Sequence, residues 1–385
     1  MKPHLLPAVL TLLMAGCVTS SVRTTKVRLL TPDRPEATDR LDPRDVSARV
    51  SRTTLGEFEY DDDALPLVSP NGEYLAVRVG SPPSWKIKCA QNGSSLPSPC
   101  RIEIRRISNG LQVEHTITGR YLLGRGLNAE GFLIEEPRAD GSRRIGLVAW
   151  SDGRISWLLD DANINAFADI DDNGTLAFAR RAFSEPGFEL VVMKDGETWV
   201  LPSEWERSWI DPVISPDGRT LFVFRLGDGT LELAWTRLND QNTFENSLQF
   251  TPISERINAR MTQNILAGQT GTDSSPPGKE PRLLFRHPQL GRLVVWTPLD
   301  DLLRPFPADT ITATMIDEHR AIAGNVDTVT FVELPTTVGQ RPITVTLQDA
   351  FEIPRRLGND PKVVLLFQPQ NGRYKVSRLD IVDIR

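Results

Sequence analysis

The residues whose spacing comes nearest to a chemical motif are in "DIDDNGTLAFAR", residues 169–180. Asp169, Asp171, Asn173 and Gly174 set oxygen ligands on alternate residues ahead of a glycine turn, the first half of a calcium-loop pattern. The second half is missing: the twelfth position, which needs a bidentate acid, is Arg180, and the ninth is Ala177. The three histidines beyond His4, namely His115, His287 and His319, are far apart and never form H-E-x-x-H. No G-x-S-x-G nucleophile elbow and no phosphate-cradling glycine loop occurs. The acids Asp61–Asp63 read as a solvated lead-in rather than a cation site. The chain is therefore expected to use no cofactor and no metal, and to catalyse nothing.

What positions these residues is a repeat. "LVSPNGEYLAVRVG", "GLNAEGFLIEEP", "ADIDDNGTLAFARRA" and "VISPDGRTLFVFRLG" each place a polar turn ending in glycine just before an apolar strand. The glycines are Gly72, Gly131, Gly174 and Gly218, and the last two intervals are 43 and 44 residues. A second series, Gly110, Gly153 and Gly196, runs at intervals of 43 and alternates with the first. Two tight turns per period of about 43 give four short strands per repeat, the signature of a propeller blade. Since "DIDDNG" lies in register with "SPNG" and "SPDG", it is expected to be a blade turn and not a metal loop. The expected fold is all-β, a single β-propeller over 51–385 with seven blades, six or eight being the alternatives. The segment 52–61 would supply the last blade's missing strand and close the ring.

"SPNGEYLAV" at 69–77 and "SPDGRTLFVF" at 215–224 resemble the WD40-like repeats of TolB-type propellers. The likeness is good in those two blades, fair around Gly131 and Gly174, and weak after residue 250. In that family the Ser-Pro-Asp-Gly stretch is a turn, so the resemblance implies a fold and no activity.

The N-terminus gives an address. Lys2, an apolar run from Leu5 to Met14, and Ala15-Gly16-Cys17 resemble a bacterial lipoprotein signal, with Met14 where leucine is usual. The resemblance implies a signal peptide over 1–16, a lipid on Cys17, and an outer-membrane lipoprotein facing the periplasm. An ordinary secretory peptide is the alternative. Residues 17–50, polar and without a period, are expected to be a flexible tether. Export places the remaining cysteines, Cys89 and Cys100, in an oxidising compartment, where a loop-stapling disulfide is expected, zinc being the weaker alternative.

Composition narrows the partners. With a net charge of −6 and both signs mixed along the chain, nothing resembles the basic stripe of a nucleic-acid protein. The repeated Trp150, Trp235 and Trp296 are expected to fill space between blades. The candidate binding rim is Trp85, Lys86 and Lys88 in the cysteine loop, with Trp205, Arg207 and Trp209 in an inter-blade connection. The competing reading tucks those tryptophans under the rim as braces. The function expected is protein binding or scaffolding in the cell envelope. Alternatives are a lactonase- or lyase-type enzyme using the central channel, or a polysaccharide binder stacking sugars on tryptophan.

Overall fold

The computed structural model describes residues 28–29, 39–40, 50–59, 65–79, 100–203, 207–215, 217–238, 249–254, 271–272, 282–297, 302–336, 342–358, 360 and 362–382. Three strands come from the N-terminal segment: β1 (Arg28–Leu29), β2 (Asp39–Arg40) and β3 (Val50–Glu59). The next four, β4 (Leu67–Val68), β5 (Tyr74–Val79), β6 (Cys100–Arg106) and β7 (Gln112–Gly119), form an antiparallel sheet in chain order. An eight-stranded sheet follows. Its first half is β8 (Leu122–Leu127), β9 (Gly131–Pro137), β10 (Arg143–Ala149) and β11 (Ile155–Leu159). Its second is β12 (Ile164–Ile170), β13 (Leu176–Arg181), β14 (Glu189–Lys194) and β15 (Glu197–Leu201). One parallel pair, Arg143 with Ile164, joins the halves.

Then come β16 (Arg207–Ile214), β17 (Thr220–Gly227), β18 (Thr230–Arg237) and β19 (Gln249–Ser254). The next sheet is β20 (Gly271–Thr272), β21 (Leu283–His287), β22 (Arg292–Thr297) and β23 (Leu302–Pro305). After it stand β24 (Thr310–Met315), β25 (Arg320–Asn325), β26 (Val329–Glu333) and β27 (Ile343–Gln348). The chain ends in β28 (Ile353–Arg356), β29 (Val363–Gln370) and β30 (Arg373–Ile381), and β3 pairs antiparallel with β30 as the fourth strand of that sheet. No helix occurs among the described residues, and the fold is a single all-β propeller.

The sequence explains which strands lie deepest. β5 reads Tyr-Leu-Ala-Val-Arg-Val and is buried at every position, because a neighbouring sheet covers each of its faces. A strand covered twice needs a continuous apolar run instead of alternation. The fourth strand of a set is covered less, and β11 accordingly alternates half-buried with exposed residues. Apolar clusters join each four-strand set to the next, and the last joins β5 to β29, β30 and Phe58 of β3, so the ring closes. Trp235 and Trp296 meet edge-to-face at 6.3 Å inside one such cluster, and Trp150 lies 4.8 Å from Phe132 in another.

The repeat marker folds as one turn in several sets. Ser69 and Ser215 each accept, at Oγ, the N–H five residues on, while Gly72 and Gly218 donate to the serine carbonyls. Asp171 makes the same turn, with Oδ1 accepting from Asn173 N at 2.9 Å and Thr175 N at 2.7 Å. Gly72, Gly174 and Gly218 have φ between +67° and +81°, which glycine adopts without strain. Gly131 is required for a different reason: a Cβ there would lie 2.2 Å from the Val148 carbonyl oxygen.

The segment expected to be a tether is not free along its whole length. Arg28–Leu29 pairs in parallel with Leu302–Leu303, and Asp39–Arg40 with Ile343–Thr344, each adding a strand outside β23 and β27.

Candidate functional site

The first strand of each set lines the ring's interior, and several of them carry charge, three of them adjacent. β8, β12 and β16 lie side by side, each with a bulge that breaks its register with the second strand. In β12 and β16 the bulge places Phe167 at φ 57° and Asp211 at φ 56°, a region bulky residues rarely occupy. Counted back from the turn residues Asp171 and Ser215, the two positions are equivalent. β8 approaches β12 closely enough that a Cβ on Gly126 would lie 2.9 Å from Asp169 Cα.

These strands bring together Arg125, Asp169 and Asp211. The Arg125 guanidinium passes β12 and donates from Nη1 to Asp211 Oδ1 and from Nη2 to the Pro212 carbonyl. Asp169 Oδ2 accepts the Ile214 N–H at 2.8 Å. Burial pushes the Asp169 carboxyl up to about 6, against the pull of the Arg125 cation, and the Asp211 charge adds to the rise. Asp211 Oδ2 and Arg125 Nε are buried without a hydrogen-bond partner. Such a carboxyl has a proton affinity suited to acid–base work near neutrality. Its surroundings restrict it: Asp169 and Asp211 are 9% and 6% exposed, whereas a quarter of the Arg125 side chain is open. The cluster therefore ties three inner strands together and leaves the Arg125 side chain part-exposed.

Elsewhere the inner wall is differently charged. Arg355 on β28 donates from Nη1 to Thr312 Oγ1 of β24 at 3.3 Å, and burial lowers its guanidinium to about 10. Glu352, fully buried, pairs with Arg52 of β3, and burial raises its carboxyl. His287 is buried and its imidazole is pushed down to about 4, so it stays neutral at ordinary pH. His115 instead contacts the Ser151 carbonyl at 2.8 Å.

Two expectations meet a different arrangement. The Cys100 thiol is free, with no disulfide among the described residues, and Cys89, its expected partner, lies outside them. It opens β6 with its side chain buried, where Arg78 Nε donates to Sγ at 3.2 Å and the Gly119 and Tyr121 carbonyls lie at 3.4 and 3.3 Å. Trp209 is 3% exposed, so it braces the rim rather than standing on it. Its ring packs with Leu190, Val192, Leu221 and Val223, its Nε1 donates to the Pro202 carbonyl at 3.0 Å, and the Arg225 guanidinium lies over its face. Arg207 is part-exposed and pairs with Asp228 at 3.2 Å. Cys17, Trp85, Lys86, Lys88, Cys89, Trp205 and Asp61–Asp63 lie outside the described residues.

The calcium-like residues divide as the repeat requires. Asp171 and Gly174 form the turn, while Asp169 points away from it to Ile214 N. Among the described residues no cluster of three or more metal-ligating side chains is assembled. Sequence reading missed Arg125 and Asp211. The available signal was a charged residue inside an apolar first strand, in "LLGRGL" and "WIDPVI".

No family model matches the chain, and no curated protein matches it in sequence. Solved structures match its fold. The β-propeller domain of Cps50 (Swd1) from Myceliophteria thermophila is similar at a TM-score of 0.52 and 11% identity, over 85% of this chain and 99% of that one. The Dos1 propeller is similar at 0.51 and 8%, over 86% and 96%. These identities speak for the fold alone. A prolyl endopeptidase structure reaches only 0.38 at 12% identity, with 43% of its length covered, and supports no argument.

Proposed function

We propose that this chain is an exported, lipid-anchored propeller that binds a protein partner in the bacterial cell envelope. Seven blades fit the strand order if the two halves of the eight-stranded sheet each count as one, and seven inter-set clusters support that count. The WD40-like, TolB-type turns and the lipoprotein-like Leu13–Cys17 stretch belong to the same reading.

The observation that carries the binding role is the inequality of the two faces. Connections from first to second strand are mostly short turns such as 128–130 and 171–175, and the longest connections of this face, 273–282 and the third-to-fourth 238–248, are shorter than those opposite. On the opposite face, where second strands lead to third and one set leads to the next, the connections include 80–99 and 255–270. By strand direction, the connection between β5 and β6, whose sequence holds Trp85, Lys86 and Lys88, and the connection from β15 to Arg207, whose sequence holds Trp205, leave the ring from that same face. Aromatic and basic residues on long loops of a rigid scaffold are the usual make-up of a binding surface. Trp209 drops out of that surface because it is buried.

The test is cross-linking of the full chain in intact cells, followed by identification of the captured partner. Replacing Trp85 and Trp205 together by alanine is expected to abolish the cross-link without moving the melting temperature. An unchanged cross-link pattern refutes the rim reading. Cys17→Ser is expected to release the chain into the soluble fraction, and continued membrane association refutes the lipid.

A further inference from the structure

β1 begins at residue 28, β2 at 39 and β3 at 50, so successive strands of the N-terminal segment are eleven residues apart. Each pairs with the outer strand of a different sheet, and the sheets follow one another around the ring. β1 lies beside β23, β2 beside β27 and β3 beside β30. One step of eleven residues therefore carries the segment from one outer edge to the next. Cys17 precedes Arg28 by the same eleven residues. The sheet before that of β23 is β16–β19, whose outer strand among the described residues is β19.

We propose that the N-terminal segment is a strap rather than a free tether, and that it sets the ring edge-on to the lipid leaflet holding Cys17, with the β19–β23 side apposed to the membrane. The inference rests on the lipid reading given above. What identifies the occupant as the leaflet is the length of chain left over. If the segment were free as far as β3, the 33 residues from Cys17 to Val50 would let the ring stand about 110–120 Å from its anchor. With Arg28–Leu29 held on β23, only eleven residues remain, and they span at most about 36–40 Å whatever their path. The segment meets the ring at the outer edge beside β23, so that edge is the part of the ring held nearest the anchor, which favours an edge-on placement with both loop faces opening sideways.

Two measurements separate the strap from the lipid. Hydrogen exchange on the soluble Cys17→Ser chain is expected to show the amides of residues 28 and 39 slowed at least fivefold relative to Leu29→Pro and Arg40→Pro respectively, since proline lacks the donor and fits a paired strand poorly. Equal exchange in all three chains overturns the strap, lipid or no lipid. Neutron reflectometry of the lipidated full chain on phosphatidylethanolamine–phosphatidylglycerol bilayers is expected to place the protein layer within about 40 Å of the headgroups. The double proline variant is expected to move that layer outward. Identical layer positions overturn the edge-on placement. Cys17→Ser chain that stays with membranes overturns the lipid reading and the placement with it, while the exchange result still decides the strap.

Discussion

Asp169→Asn is expected to stabilise the protein increasingly from about pH 4, with the full effect above about pH 6. The carboxyl sits at about 6 in the folded ring against an ordinary value of 3.8, chiefly because burial disfavours its charge. A group whose folded pKa is raised favours folding fully below its unfolded value, and that contribution is lost as pH rises through the folded value. For Asp169 the loss runs from about pH 4 to pH 6 and, at about 1.4 kcal/mol per unit, amounts to about 3 kcal/mol. Asparagine keeps an oxygen for the Ile214 N–H but never ionises, so it escapes the loss. In a domain of this size each kcal/mol moves the midpoint by on the order of 1–2 °C. Melting curves from pH 3 to 8 should therefore show the variant level with the parent at the acid end, drawing ahead from about pH 4, and about 3–6 °C more stable at pH 8. A variant equally shifted at both ends, or less stable at pH 8, refutes the reasoning. The second outcome would mean that the Asp169 charge is needed to balance Arg125.

Trp209→Ala is expected to lower stability by about 3–5 kcal/mol, as removal of a large buried aromatic does, and to leave partner cross-linking intact in the fraction that remains folded. An unmoved midpoint with a lost cross-link would return Trp209 to the binding surface. Cys100 is expected to resist thiol reagents in the folded protein and to react on denaturation without any reductant, read by mass spectrometry of its peptide. A peptide that labels only after reduction would show that the thiol is bonded.

The repeat was readable because covering a strand on both faces demands a run of apolar residues and because tight turns demand glycine. Hence "YLAVRV", "LAFARR" and the alternating glycines all announced sheets where sheets occur. The closing strand was readable too, since a set of three strands at one end of the chain leaves an unpaired edge for Val50–Glu59. Partnerships between side chains distant in sequence were not. Arg125 and Asp211 are 86 residues apart, and no spacing rule links them. Cys100 reads as a disulfide partner on compartment and polarity, yet its burial is fixed by Arg78 and the carbonyls of Gly119 and Tyr121, which only the folded register brings near. Trp209 has the composition of an anchor because tryptophan suits a rim and an inter-sheet gap equally; only its place in β16 decides between them.

The inner strands show where the repeat stops being merely structural. Phe167 and Asp211 occupy equivalent bulge positions with positive φ, at a cost of order 1–3 kcal/mol each for a side chain in that region. For Phe167 the gain is visible: its N–H reaches Glu135 Oε1 at 2.8 Å on the neighbouring set, and its ring meets Phe188. For Asp211 the gain is the Arg125 bond, which crosses an entire strand. Both gains link one set to another, one between neighbours and one across the intervening set, so the bulges join sets through polar contacts where the apolar clusters do not act. Removing the Asp211 carboxylate would therefore cost twice, leaving the part-buried Arg125 without its carboxylate and a strained backbone without its reason. Asp169 would have a different effect, because its neutral form is the one its surroundings favour. Two aspartates on adjacent inner strands, both buried and both near one arginine, thus differ in role: Asp211 holds the Arg125 guanidinium, while Asp169 is a carboxyl that burial favours in its neutral form.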